Sequence, residues 1–250
     1  MVRVIINGCS GRMGKVVASL IGNRKDMVVV AGVDVIESTQ NFPLYSSLAA
    51  VKEKADVIID FSNADSIASF LPTAQERSLA VVVATTALGE REDALLKEAS
   101  KKIAVFKSGN MSLGINLMQQ LAGSAAKFLG FGFDIEIIEK HHNQKKDAPS
   151  GTALMLADSI NNALNNRLNY VCGREGKEAK REVNELGIHS VRGGTIVGEH
   201  QVIFAGEDEI ITITHTSYSR SVFAAGAIAA AAFLVNQKPG LYNMKNLIEA

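Results

Sequence analysis

Short β-branched runs alternate with longer, more polar stretches through the first hundred or so residues. Val2 to Ile6, Val28 to Val33, Val57 to Asp60, Ala80 to Thr85 and Ile103 to Phe106 are nearly continuous in apolar character, the pattern of strands covered by helices on both faces. Between them, Met13 to Ile21, Ser66 to Glu76 and Asp93 to Ser100 are long enough for crossover helices. This pattern predicts a doubly wound parallel sheet, α/β in class. Pro72 falls inside the second helical stretch and predicts a kink or break there, because proline lacks the N–H that a helix interior requires.

After Asn110 the texture changes. Leu113, Leu117, Leu121, Ala125 and Phe128 recur at helical spacing and predict an amphipathic helix over Ser112 to Leu129. Asp134 to His142 alternates like a strand, and Ser150 to Leu164 reads as a helix. Thr195 to Ala205 and Glu209 to Tyr218 read as strands joined by a hairpin at Gly206-Glu207-Asp208. Arg174 to Glu185 is charged and lacks periodicity. Strands with few helices between them predict an open mixed sheet in a second, α+β domain. Val222 to Val235 is apolar throughout but shorter than the ~20 residues that span a bilayer, so it reads as a buried helix.

Composition narrows the function classes. At 250 residues the chain has room for about two domains of ~150 residues, and needs no disulfide framework or structural metal to fold. Its 26 Lys and Arg balance 26 Asp and Glu, which removes the long-range attraction of a basic protein for nucleic acid or anionic membrane; neither partner is expected. Cys9 and Cys172 are too few for a disulfide scaffold or a Cys-rich zinc site, and suit a reducing cytosol. The first residues lack the apolar core of a signal peptide, so a cytoplasmic location is expected.

The first strand opens into Asn7-Gly8-Cys9-Ser10-Gly11-Arg12-Met13-Gly14. Glycines allow a tight turn and close approach to a pyrophosphate, and a helix N-terminus offers free N–H groups to it. The spacing is G-x-x-G-x-x-G, a weak signal alone because many glycine-rich turns bind nothing. Its place between strand and helix, with Asp34 at the end of the second strand, favours a dinucleotide. An acid at Asp34 accepts ribose hydroxyls and repels a 2′-phosphate, and Val35 beside it is no cation; this favours NADH over NADPH. Arg12 and Lys15 remain able to receive a 2′-phosphate.

The densest polar chemistry is Glu139-Lys140-His141-His142-Asn143-Gln144-Lys145-Lys146-Asp147-Ala148-Pro149-Ser150-Gly151-Thr152. Histidines and lysines beside a helix start form a trap for a small polyanion, and a dicarboxylate suits it. A solvated charge run before a capped helix is the plainer alternative. Adjacent strand residues face opposite ways, which predicts different jobs for His141 and His142, and an imidazole can exchange protons with substrate near neutral pH. No further His or Cys cluster has ligand spacing, so no metal is expected. In Arg192-Gly193-Gly194 and Gly198-Glu199-His200 the glycines suit a strand bend or close backbone approach, and Arg192 and His200 could serve a substrate or a subunit contact; the structural reading is preferred. His215 and Arg220 read as polar packing or domain-junction residues, and His189 has no assigned role.

These residues together resemble a known family. Gly8 to Gly14 ending in Arg-Met-Gly, the run Glu139-x-His141-His142-x-x-Lys145-x-Asp147-Ala148-Pro149-Ser150-Gly151-Thr152-Ala153, and Arg192-Gly193-Gly194-x-x-x-Gly198-Glu199-His200 are similar to bacterial 4-hydroxy-tetrahydrodipicolinate (dihydrodipicolinate) reductases over essentially the whole chain. The resemblance implies NAD(P)H-dependent reduction of a cyclic dicarboxylate in diaminopimelate and lysine biosynthesis. It places His141 at the acid/base position and Lys145 at the proton donor, with His142, Lys145, Ser150, Gly151 and Thr152 holding the substrate carboxylates. Cofactor contacts map to Gly8, Cys9, Ser10, Gly11, Arg12, Met13, Asp34, Ala84, Thr85, Thr86, Ser108, Gly109, Asn110 and Met111. It further implies a homotetramer, a Rossmann-like dinucleotide-binding domain of residues 1–111 and 220–250, and a substrate-binding and oligomerisation domain of residues 112–219. Domain closure about hinges near Asn110 to Ser112 and near Arg220 is expected. The chain departs from the family in having Ala84-Thr85-Thr86-Ala87 where Gly-Thr-Thr-Gly is common, and a short segment from Glu37 to Ala55. Two other classes remain open: a different Rossmann dehydrogenase acting on a small carboxylate, and a non-catalytic NADH-sensing regulator, for which no basic helix-turn-helix pattern is visible.

Overall fold

The computed structural model describes residues 1–36, 38–86 and 88–250; Glu37 and Ala87, named above as departures from the family pattern, lie outside them. In chain order the elements are β1 (Val2–Asn7), α1 (Arg12–Gly22), β2 (Met27–Val33), β3 (Leu44–Tyr45), β4 (Val57–Asp60), α2 (Ala64–Glu76), β5 (Ala80–Val83), α3 (Glu90–Ala99), β6 (Ala104–Lys107), α4 (Leu113–Leu129), β7 (Asp134–His141), α5 (Gly151–Ala163), β8 (Asn169–Cys172), β9 (Glu185–Arg192), β10 (Gly198–Ala205), β11 (Ile210–Ser217), α6 (Ser221–Leu234), β12 (Gly240–Tyr242) and α7 (Met244–Ile248). They fall into two compact units, Met1–Leu113 with Ser221–Ala250, and Gly114–Arg220.

In the first unit seven parallel strands form one sheet in the order β12-β6-β5-β4-β1-β2-β3. Strand alternation divides its side chains between two cores. Val4, Ile6, Val57, Ile59, Val82 and Phe106 pack against α1 and α6, while Ile5, Ile58, Val81, Val83 and Val105 pack against α2 and α3. Both faces are therefore dry, which is why these strands read as continuous apolar runs. The architecture is doubly wound and Rossmann-like.

Three details differ from expectation. α2 runs unbroken through Pro72, so the predicted break does not occur. Pro72 is exposed, as is Ala68 four residues earlier, so the carbonyl that loses its helical N–H partner belongs to a residue open to water. The buried face of α4 is Ile115, Met118, Ala122 and Ala126, whereas Leu113, Leu117, Leu121 and Phe128 of the predicted stripe are exposed. Small strands β3 and β12 extend the sheet at its two edges. α6 is buried along most of its length, and among the described residues no helix is long and apolar enough to cross a membrane.

The second unit is a mixed five-stranded sheet, β11-β10-β7-β9-β8. The predicted hairpin is present, β10 pairing antiparallel with β11 and Gly206 N–H donating to Glu209 O. Two strands, β8 and β9, were not expected; β9 pairs parallel with β7 and brings Arg192 opposite His141. One face of the sheet, through Ile135, Ile137, Leu186, Ile188, Val202 and Phe204, packs on α4 and α5. Register and alternation put Ile138, Ile203 and Ile210 on the other face, with Ile210 68% exposed.

Candidate functional sites in the two units

Parallel pairing aligns Asn7 with Val33 and Asp60, Asp60 with Val83, and Val83 with Lys107, so the chain leaves every central strand of the first unit at one edge. The Gly8 to Gly14 loop, Asp34, Ala84 to Thr86 and Ser108 to Met111 all emerge there, where open α/β sheets bind ligands.

Two of the loop glycines are demanded by backbone packing. Gly8 has φ +79°, and a Cβ on Gly14 would lie 2.2 Å from Gly8 O. Gly11 is the N-cap of α1 and no side chain caps that end, leaving first-turn N–H groups for an anion. Asp34 accepts from Ser10 N (2.9 Å) and Ile36 N (3.0 Å), tying the loop to the end of β2. Cys9 and Met111 are buried in the core, so only their backbones can meet a nucleotide. Ala84 is buried, Thr86 and Gly109 are exposed, and Ser108 Oγ donates to Asn110 O. These residues fit a dinucleotide: a tight cradle, an uncapped helix N-terminus and an acid at the ribose position.

Sequence reading missed what lies beneath. Asp60 is fully buried and accepts from Asn7 Nδ2 (2.8 Å), Thr85 Oγ1 (2.7 Å) and the hydroxyl and N–H of Ser62. Burial pushes its carboxyl up, against the pull of those donors. The result is a polar brace joining the ends of β1, β4 and β5 and fixing the Thr85 side chain.

In the second unit β7 alternates Ile135, Ile137, Glu139 and His141 onto its helix-covered face. Strand and motif therefore deliver a carboxylate and an imidazole into a buried setting at the end of β7. Glu139 has no solvent exposure and accepts both Arg192 guanidinium nitrogens (2.6 and 2.7 Å), the N–H of Ser150 (3.0 Å) and a bond with His141 Nδ1 (2.6 Å). Burial alone would raise its pKa, but Arg192, His141, Ser190 and Ser150 outweigh that and hold it at about 2. Burial lowers the pKa of His141 while Glu139 opposes, and the charges of Lys145 and Arg192 add to the lowering.

Ser150, 2% exposed, caps α5 by accepting from Ala153 N and bonds His200 Nε2 through its hydroxyl (3.1 Å). The His200 ring stands edge-on to that of His141 at 5.2 Å. Burial, then the neighbouring His141, push its pKa down to about 4, so it is neutral at pH 7. Gly151 is exposed and Thr152 half-buried in the first turn. His142 lies just past the strand and is half-buried, with Asn143, Gln144, Gly194, Thr195 and Arg220 around a cleft of about 350 Å³. Lys145 reaches Asp147 at 2.9 Å, and its N–H donates to His142 O. His141, Lys145, His142 and the Ser150 helix start thus share one end of this unit.

Arg192 and His200, for which a structural role was preferred, are both in direct contact with this group. Arg192 escaped because β9 was not recognised as a strand. Glu139 carried a readable signal: it continues the inward alternation of Ile135 and Ile137, so a carboxylate on an apolar face had to have partners. His215 stands opposite His200 on β11, and His189 bonds Glu136 on the other face of the sheet.

Known proteins match both halves of this arrangement. The model for the N-terminus of dihydrodipicolinate reductase matches residues 2–111, and that for its C-terminus residues 114–248. A 4-hydroxy-tetrahydrodipicolinate reductase from Caldanaerobacter subterraneus is 57% identical over 249 residues, covering 100% of this chain and 99% of the relative. One from Clostridium tetani is 46% identical, covering 100% and 98%. The solved dipicolinate-bound dihydrodipicolinate reductase from Paenisporosarcina sp. superposes with a TM-score of 0.81 at 26% identity, covering 98% of this chain and 99% of that one. DAP dehydrogenase from C. glutamicum, at 14% identity and TM-score 0.62 with 99% and 95% coverage, shares the fold. Matched in both units and more than half identical to a full-length relative, the chain belongs to the dihydrodipicolinate reductase family.

Proposed function

We propose that this protein reduces 4-hydroxy-tetrahydrodipicolinate to tetrahydrodipicolinate with a reduced nicotinamide dinucleotide, a step of diaminopimelate and lysine biosynthesis. The observation that carries this reading is the convergence of a Glu139-held imidazole, Lys145 and the Ser150 helix start at one end of the second unit. When bound, the cofactor supplies a hydride. The ring also gains a proton and loses water. Lys145, His142 and the N–H groups of Ser150, Gly151 and Thr152 hold the two carboxylates, which orients the ring before reaction. His141, or Lys145 beside it, supplies the proton.

NADH is the preferred cofactor. The crevice of about 190 Å³ beside Asp34 is lined by Gly8, Val35, Ser47 and Ser62 among others, with no Lys or Arg among its described residues. A 2′-phosphate there would face Asp34 without a counter-charge. Arg12 is exposed at the start of α1, and Lys15 lines a separate groove along α1 and β2. The half-exposed isoleucines on the open face of the second sheet support assembly into a homotetramer through that sheet, and the free Cys9 and Cys172 suit a cytoplasmic enzyme.

The test is a coupled assay in which pyruvate and aspartate semialdehyde, with the preceding synthase, generate substrate in place. Consumption of NADH and NADPH is expected, with kcat/KM higher for NADH. Folded protein that consumes neither overturns the proposal, and a higher value for NADPH overturns the preference.

A further inference from the structure

A buried carboxylate is costly unless every lone pair is used, and an apolar side chain of similar size often serves stability as well. Glu139 uses its full capacity: Oε1 takes Arg192 Nη2 and Ser150 N, and Oε2 takes Arg192 Nη1 and His141 Nδ1. Those donors come from three different elements, β9, the start of α5 and β7 itself. Arg192 Nη2 also donates to Asp147 O at 2.7 Å, joining the segment that carries Lys145 to the same node.

An ionised carboxylate can only accept, so it requires the hydrogen of His141 to sit on Nδ1 and leaves Nε2 as the atom that exchanges a proton. Nε2 lies over Gly198, where an added Cβ would come within 3.2 Å of it. The charged and titratable groups facing His141 are Glu139 on its own strand, Arg192 from β9, Lys145 from the following loop and His200 from β10. Only Glu139 among these favours a charge on the ring.

We infer that Glu139, clamped by Arg192, is a positioning residue: it fixes the tautomer and orientation of His141 and, through the Ser150 N–H, the helix start that receives a substrate carboxylate. The kinetic consequence rests on the reading under Proposed function; the tautomer does not.

Glu139→Gln keeps the shape and removes the charge. Its kcat is expected to fall by about 10–100-fold, the loss seen when the carboxylate partner of a metal-bound histidine is removed. Where His141 must be protonated to act, the decline of kcat at high pH should move to lower pH, since the group favouring imidazolium is gone. Glu136→Gln is the matched control: it lies on the same strand, holds Arg174, Arg181 and His189, and faces the other way. It should leave the pH limb in place. An unmoved limb and wild-type kcat in Glu139→Gln would overturn the inference, as would an equal shift in Glu136→Gln, which would mark a general effect of lost ion pairs.

Nitrogen-15 spectra of the imidazoles, with His141 assigned from His141→Gln, provide a readout that needs no substrate. Wild-type protein should show His141 protonated on Nδ1, and Arg192→Lys, which keeps the charge but loses the fork, should weaken that preference. An Nε2-protonated ring in wild-type protein would overturn the inference even if Glu139→Gln fails to fold. If wild-type protein turns over neither nucleotide, the functional reading fails, and the tautomer alone decides the role of Glu139.

Discussion

His141 and Lys145 are neighbours in chemistry but not in environment. His141 is buried and held at Nδ1, whereas Lys145 is only 22% exposed yet reaches Asp147 at the surface. Replacing His141 by Ala removes a proton donor and a partner of buried Glu139 but no carboxylate anchor, so kcat should fall about 10²–10⁴-fold with KM changed much less. Lys145→Ala removes a carboxylate anchor as well, so kcat should fall and KM rise together. Steady-state kinetics on the dicarboxylate separate the two patterns, and a wild-type KM in Lys145→Ala would remove it from the binding set.

Elements show which parts of the molecule were legible. The central strands of the first unit were readable because both faces of each are dry. β3 and β12, two and three residues long, give no pattern. β9 was hidden because only Leu186 and Ile188 turn to the core, while His189 pairs with Glu136 and Arg192 with Glu139. Its signal is charge pairing across strands, which no one-dimensional periodicity contains. α4 failed in another way: two apolar stripes run along it, and alanines on one pack more closely than leucines on the other. The glycine loop was recognised by spacing, but its three glycines have different duties. Gly14→Ala puts a methyl against rigid backbone and should destabilise the fold by about 1–3 kcal/mol. A Cβ on Gly11 meets only Gly8 O, at 3.2 Å, so Gly11→Ala should cost under about 1 kcal/mol yet weaken nucleotide binding. Denaturant midpoints and a nucleotide titration on both variants check this division.

For the whole molecule, buried titratable groups set the response to acid. His200 has its pKa lowered from 6.5 to about 4 in the folded state. The unfolded chain therefore takes up a proton first as pH falls below ~6.5, and stability declines until His200 itself protonates near pH 4. That amounts to about 2 kcal/mol between pH 7 and pH 5. Glu139, lowered to about 2, adds a second loss below ~4.5, where only the unfolded carboxylate binds a proton. Denaturant melts at pH 7 and 5 should show a smaller drop for His200→Gln than for wild type; equal drops would contradict this account. Light scattering after size exclusion tests the proposed tetramer, and Ile210→Lys, placing a charge on the open sheet face, should shift the population toward smaller species.

The return of the chain to its first unit has a further consequence. α1 covers β1 and β2, but Ala224, Ala227, Ala230 and Leu234 of α6 are what cover β4, β5 and β6 on the same face, so the part formed by Val57, Ile59, Val82 and Phe106 stays bare on a ribosome until α6 has been translated. Gly114–Arg220, by contrast, is an uninterrupted stretch that can close its own core earlier. The later unit in sequence is thus the earlier one to mature, and the nascent nucleotide fold must keep a greasy surface from aggregating while it waits.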